Sequence, residues 1–248
     1  MIAIRNIHKS FNGNNVLKGI NLEIQEGEMF ALIGRSGLGK SVLLKHIVGL
    51  MRPEQGEILI DGMNINRLRG KQLENIRRKF GFLFQEGALF DSLTVYDNVA
   101  FPLREKTKLT EQQIRDKVYF ELEQMGLKND GKKYPAELSG GMRKRTALAR
   151  AMIMQPSIML FDEPTTGLDP IIGQSILNYI QSCHKRVGFT GIIVTHDVPR
   201  VFSIVQKIAM LYNGTIILNG TYEEIQQQHN PVFEQFMAGS LEGPLSYS

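Results

Sequence analysis

Gly34-Arg35-Ser36-Gly37-Leu38-Gly39-Lys40-Ser41 satisfies the pattern GxxxxGK[ST], and a short apolar run, MFALIG, leads into it. Glycines let main-chain N–H groups close around phosphate oxygens without Cβ clashes. Lys40 is placed to hold the outer phosphates as a point charge, and Ser41 to offer a hydroxyl to Mg²⁺. Gly34 to Val42 are therefore the candidate phosphate contacts. A chance match in a chain of this length is about a one-per-cent event at ordinary glycine usage. A second element, IMLFDE (158–163), is an apolar strand with an acidic pair at its exit. There Asp162 can bind magnesium through water, and Glu163 can orient or deprotonate the attacking water. The two together point to hydrolysis of ATP or GTP.

LSGGMRKR (138–145) is a second glycine corner, and TALARAM behind it reads as helix. Unpaired N–H groups and the positive end of a helix dipole converge on such a corner, so it is also built for an anion. One chain thus carries two anion cradles and one complete nucleotide pocket.

The elements that must position these residues form an α/β pattern. The first 30 residues and GEILIDG (56–62) alternate like antiparallel strands, whereas MFALIG, SIMLFDE and GIIVTH read as buried parallel strands. Leu43, Leu44, Ile47, Val48 and Met51 follow the phosphate loop at helical spacing. Helical patterns between the strands imply crossover connections and a largely parallel sheet. From about 87 to 155 the pattern is helical only, a subdomain inserted into the α/β core. Thr110 and Gln113 form a capping box there, with Ile114, Val118, Leu122 and Met125 along one face. Asn213-Gly214 marks a late hairpin within 212–220. The stretch after Phe236 has little periodicity and reads as a loose tail.

Composition fits a packed, water-soluble domain: of 248 residues, 42% are hydrophobic and 22% charged, with a net charge of +4. No run approaches the ~20 apolar residues of a membrane span, and the start lacks a signal-peptide layout. Cys183 is the single cysteine, which excludes an internal disulfide and suits a reducing compartment. No long basic tract asks for nucleic acid. Arg143, Lys144 and Arg145 read as a mostly solvated helix face.

LSGGMRKR ahead of LFDEPTTGLD and VTHD resembles the ATP-binding-cassette (ABC) ATPases, over nearly the whole chain. The resemblance implies a P-loop NTPase fold of ABC type: a mostly parallel core, an antiparallel β subdomain and an inserted helical subdomain. The ATPase domain would span 1–236 and the tail 237–248. By the same resemblance Phe11 stacks on adenine with Val16 nearby, and Gln85 links Mg²⁺ to the helical subdomain. Asp169 lies at a dimer seam, and His196 contacts the terminal phosphate. Ser139, Gly140 and Gly141 would bind the ATP held by a second copy, so that two composite sites form across a two-fold interface. His8, His46, His184 and His229 are read as surface or helix residues. Two departures stand out: Met142 replaces the family's usual Gln, and Leu38 a common Ser; both positions act mainly through backbone geometry.

A segment of about fifty residues between Gln85 and the signature leaves room for a compact helical subdomain. It has none for the long coiled coils of ABC-type DNA-repair proteins, and a single cassette does not fit the tandem translation factors. FQEGALFDSLTVYDNVAFPLRE (84–105), Met142 with the bases after it, and QFMAGSLEGPL resemble the ATPases of MCE-type lipid transporters. That resemblance implies phospholipid as cargo, an integral-membrane permease docked near Gln85, an MCE protein across the periplasm and a STAS-domain partner. The chain would then sit at the cytoplasmic face of the inner membrane, with its tail gripping the paired ATPase. Two rivals are a motor for another small substrate (amino acid, metal complex or lipoprotein) and a soluble regulator without a permease.

Overall fold

The computed structural model describes residues 1–245; the closing Ser-Tyr-Ser of the expected tail lies outside the described residues. The chain divides into two compact units, Met1–Arg77 with Thr190–Ser248, and Arg78–Phe189.

The first unit holds β1 (Ile2–Phe11), β2 (Asn14–Ile24), β3 (Met29–Ile33), α1 (Lys40–Ile47), β4 (Gln55–Ile60), β5 (Met63–Asn64) and α2 (Gly70–Arg77). The later chain adds β8 (Thr190–Thr195), β9 (Lys207–Tyr212), β10 (Thr215–Gly220), α7 (Tyr222–Gln227) and α8 (Pro231–Ala238). β1 pairs antiparallel with β2 and with β4, as the alternation before residue 30 and in 56–62 implies. β3 lies parallel between β8 and β9. All five residues of β3 and all six of β8 are buried, which is why both read as unbroken apolar runs. β9 turns into antiparallel β10 through Asn213 and Gly214, both at positive φ (47° and 84°), the geometry of a type I′ turn.

The second unit runs β6 (Phe80–Leu83), α3 (Val95–Lys106), α4 (Glu111–Gln124), α5 (Gly140–Met152), β7 (Ile158–Asp162) and α6 (Pro170–Val187). β6 and β7 are parallel. The helices between them match the helical stretch expected from 87 to 155. The Thr110–Gln113 box closes α4 as expected, and Ile114, Val118, Leu122 and Met125 are all buried. Asn98, fully buried in α3, was not singled out by sequence. Its side-chain oxygen accepts from Phe90 N–H at 2.9 Å, and its amide donates to the carbonyls of Phe90, Leu93 and Thr94 at 3.0–3.1 Å. This fully used amide fixes the loop before α3. Cys183 is a buried residue of α6, where burial and Glu121 push its thiol up to about 11.

His46 is a helix residue as expected, but a buried one. Its Nδ1 lies 2.7 Å from the Val42 carbonyl, so that nitrogen carries the proton, while Nε2 has no partner. Burial lowers its pKa, which keeps the ring neutral.

The stretch up to Leu245 is tied down, in contrast to the loose tail its composition suggests. Gln235 in α8 accepts the Leu245 N–H at 2.6 Å and donates to the carbonyls of Ser240 (3.1 Å) and Leu245 (3.3 Å). Leu245 is buried, and the Tyr212 hydroxyl donates to the Pro244 carbonyl at 3.3 Å. Gln235→Leu removes a buried amide that serves three main-chain groups, and is expected to weaken the docked segment by about 1–3 kcal/mol. Faster hydrogen exchange at the Leu245 amide, with an unchanged global denaturation midpoint, is the expected reading.

Candidate functional site

In the first unit β3 delivers the chain into Gly34, whose φ is +146°. A Cβ there would come within 2.5 Å of the Leu211 carbonyl oxygen. Gly39, the residue before α1, has φ +98°, and a Cβ on it would strike Val16 Cγ1 at 2.7 Å. Val16 thus packs on the phosphate loop itself. Gly39 brings no side-chain acceptor to the start of α1, so the positive end of the helix faces the loop uncapped. Lys40 is buried and folds over the loop, donating to the carbonyls of Gly34 (2.7 Å) and Arg35 (2.8 Å). Ser36 and Gly37 are exposed, and Arg35, Leu38, Ser41 and Val42 are half-buried.

His196 is exposed and follows Thr195, which pairs with Ile33. His196 and Gly34 therefore leave neighbouring parallel strands at the same edge, where α/β sites gather. Phe11 ends β1 with its ring 40% exposed and Lys9 Nζ 5.2 Å from the centroid. Lys9 thus lies over the ring of a partly exposed aromatic, a setting that suits stacking by a nucleobase.

In the second unit Leu83 of β6 pairs with Phe161 of β7, so Gln85 and Glu163 leave adjacent strands at equal distances beyond that pair. Asp162 and Glu163 are both buried. Glu163 has φ +49°, left-handed for a residue with a side chain, a strained state of order 1–3 kcal/mol that surrounding bonds must hold. The Thr166 hydroxyl donates to Glu163 Oε2 at 3.1 Å, and the Thr166 N–H to its carbonyl at 3.3 Å. The carboxylate is thereby aimed as well as buried.

Lys144 corrects the expectation of a solvated basic face. It is only 6% exposed, and its ammonium donates to the main-chain carbonyls of Gln85 and Glu163, the latter at 3.3 Å. Burial pushes its pKa down, opposed by the charges of Glu86, Glu163 and Asp162. Arg145 is half-buried and donates to the Met125 carbonyl at 2.9 Å, while Arg143 stays exposed and reaches the Leu138 carbonyl at 2.8 Å. A run of bases carries no period that distinguishes these fates; the carbonyls that hold Lys144 lie 59 and 19 residues away.

Ser139 is exposed and caps α5, accepting the Met142 N–H at 3.3 Å. The amides of Gly140 and Gly141 have no acceptor within the helix. A Cβ on Gly140 would come 3.2 Å from Leu168, and one on Gly141 2.7 Å from Ile172. The corner thus rests on the start of α6, where Asp169 accepts the N–H groups of Ile171 and Ile172 at 3.0 Å. Ile171 beside it is 81% exposed. Met142 meets this corner through its main-chain N–H, which the Ser139 hydroxyl accepts.

A lysine-bearing glycine loop at a strand–helix junction, an acidic pair at a strand exit and a second glycine corner define a P-loop nucleotide hydrolase of the cassette type. Residues 17–166 match the family model for ABC transporters. The chain is 44% identical over its whole length to a probable ribonucleotide transport ATP-binding protein, Mkl, of Mycobacterium leprae, covering 71% of that protein. It is 41% identical, again over its whole length and 94% of the relative, to the intermembrane phospholipid transport ATP-binding protein MlaF of Haemophilus influenzae. A dimeric ATP-binding cassette solved in a post-hydrolysis state with ADP and Pi superposes with a TM-score of 0.82 at 33% identity, over 89% of this chain and 98% of that one. The chain belongs to the ABC transporter family, and it is an ATPase.

The residues present fit a nucleotide, since Gly34 and Gly39 adopt conformations that a Cβ would forbid and Lys40 is held over the loop. Lys40→Ala is expected to weaken ATP binding by about 1.5–3 kcal/mol, roughly 10- to 100-fold in Kd, measured by calorimetry.

Proposed function

We propose that the chain is the ATP-hydrolysing subunit of a membrane transporter that moves phospholipid, and that it works as a pair of identical copies. The observation that carries the paired reading is the signature corner. Ser139 stands exposed over two glycine amides, beside an almost fully exposed Ile171. An anion cradle with an uncovered apolar neighbour suits a surface that a second copy closes over its own ATP.

Within each copy Phe11 and Val16 take the base, Gly34 to Val42 take the phosphates, and His196 contacts the terminal phosphate. Glu163 accepts the proton of the attacking water. Ser139, Gly140 and Gly141 engage the partner's ATP, with Asp169 at the seam. Mg²⁺, a cation that takes few protein ligands and is shared with substrate phosphates, would be held by the oxygens of Ser41, Gln85 and Asp162. It would supply positive charge against that of the phosphates.

Among the described residues no helix is long and apolar enough to cross a membrane; in this reading the permease is a separate chain. A groove of about 330 Å³ supports the docking of one near Gln85. Phe84, Phe90 and Phe101 are each exposed along it, with Arg150 5.8 Å from the Phe90 ring. Val95, Val99 and Leu103 behind it are buried in the core, so the rim aromatics are the ones left for a partner. This reading places the chain at the cytoplasmic face of the inner membrane. Phospholipid as cargo rests on the MlaF relative, matched over nearly its whole length, together with segment 84–105. An MCE protein and a STAS-domain partner follow from the same reading, and its tail (237–248) grips the paired copy.

Ser139→Arg is expected to leave ATP binding by the isolated chain intact while lowering hydrolysis by about 10²–10³-fold. Glu163→Gln should bind ATP and accumulate the closed dimer, with turnover down about 10²–10⁴-fold. Normal hydrolysis by Ser139→Arg removes the cross-copy role. For cargo, the complex that copurifies with the tagged chain is reconstituted in vesicles. ATP-dependent transfer of labelled phospholipid is expected; transport of labelled ribonucleotide instead would assign the cargo named for the mycobacterial relative, and copurification without any multi-span protein would remove the permease reading.

A further inference from the structure

The segment from Gln85 to Ala88 is held to one helix by two long cations. Lys144 donates to the Gln85 carbonyl, and Arg150 donates to the carbonyls of Gly87 and Ala88, each at 2.8 Å. Both cations belong to α5, the helix that starts at the signature corner. Lys144 alone also reaches the carbonyl of Glu163. It stands three residues after Gly141, one helical turn along α5. A rigid turn of helix therefore separates the corner from an ammonium tied to two other elements of the site.

We propose that Lys144 is a positioning residue for hydrolysis: it fixes Gln85 and Glu163 in a common frame with the chain's own signature corner. The inference rests on the assignment of Glu163 to the attacking water. Glu163 is strained at φ +49°, and a peptide in that state keeps its orientation only where its polar groups are bound. Its carbonyl takes the Lys144 ammonium on one side and the Thr166 N–H on the other. Cutting the first tie leaves the carboxylate in place but free to reorient, so turnover suffers and nucleotide affinity does not. The frame also carries information. When a second copy's ATP settles on Ser139, Gly140 and Gly141, any shift of α5 moves Lys144, and with it the Glu163 that serves the chain's own ATP. Occupancy of one composite site thereby tunes the base of the other.

The test is steady-state ATPase of the full chain, with ATP affinity by calorimetry and thermal stability alongside. Lys144→Met, of similar length and without donors, is expected to lower kcat at least 10-fold and to reduce the Hill coefficient towards 1. Kd for ATP should stay within 3-fold and Tm within a few degrees. Lys144→Arg, whose guanidinium can serve two carbonyls, should restore most of kcat. A kcat for Lys144→Met within 2-fold of the native value overturns the proposal, as does a loss in which Kd and Tm move together with kcat, or an Arg variant no better than Met. If Lys144→Met does not fold, Lys144→Gln, with an N–H donor for one carbonyl, is expected to show an intermediate kcat at native Kd; native kcat there overturns the frame. Glu163→Gln, run in parallel, separates the two readings: normal turnover in that variant sinks the assignment of the base, whereas a dead Glu163→Gln beside a normal Lys144→Met sinks only the role of Lys144.

Discussion

A main-chain amide that is to hold a phosphate must not be claimed by its own chain, and the helix starts of this protein are arranged around that requirement. α3, α4, α6, α7 and α8 are each closed by the side chain of Thr94, Thr110, Asp169, Thr221 or Asn230, which accepts one or two of the first N–H groups. Such caps satisfy the donors that helix geometry orphans, and each is worth about 1 kcal/mol. α1 has no side-chain cap at all. α5 is capped by Ser139 with a hydroxyl, which can accept from Met142 and still donate to an anion. A carboxylate at either place would repel the ligand the helix start is meant to attract. The stability forgone at α1 is supplied by its buried face, where Leu43, Leu44 and Ile47 are almost wholly covered.

The opposite device governs the acidic corner. There the chain needs one carboxylate held in a position that its backbone resists, so donors converge on Glu163 from Thr166 and Lys144. Asn98 and Arg150 do similar work on the loop between Gln85 and α3. These are main-chain contacts: the carbonyls of Gln85, Gly87, Ala88, Phe90, Leu93 and Thr94 each receive a side-chain donor. The side chains of Gln85, Phe84 and Phe90 remain exposed for contact with something else. A held backbone with exposed side chains suits the permease docking proposed above.

The sequence made legible whatever depends on neighbours within a turn or a strand. The phosphate loop, the buried strands ending at Ile33, Asp162 and Thr195, the Thr110 box and the Asn213-Gly214 turn were all readable, because short-range sterics and periodicity set them. α1 stops at Ile47, before the periodic pattern runs out, since the N–H of Leu50 and of Met51 turns back to the Lys45 carbonyl. What stayed hidden depends on contacts far along the chain. Lys144 looks like its neighbours Arg143 and Arg145 until residues 85 and 163 supply acceptors. Gln235 looks like any helix glutamine until Ser240 and Leu245 fold onto it. His46 is buried by packing that its helix alone does not reveal.

Burying Lys144 has a cost that argues for its use. An ammonium removed from water is stable only where acceptors and opposite charge replace the solvent. A methionine at the same place would pack without that penalty, and buried ion networks replaced by apolar residues are often neutral or stabilising. Stability alone therefore gives no reason for a lysine here, whereas a frame between two carbonyls does. In the proposed two-fold pair the arrangement would be reciprocal by symmetry: each copy's corner would read the other's ATP while each copy's Lys144 would hold its own base. Because the tie bears on the orientation of Glu163 and not on the phosphate loop, what the occupancy of one site passes to the other is alignment for hydrolysis and not affinity, so a half-loaded pair is left poorly aligned for turnover.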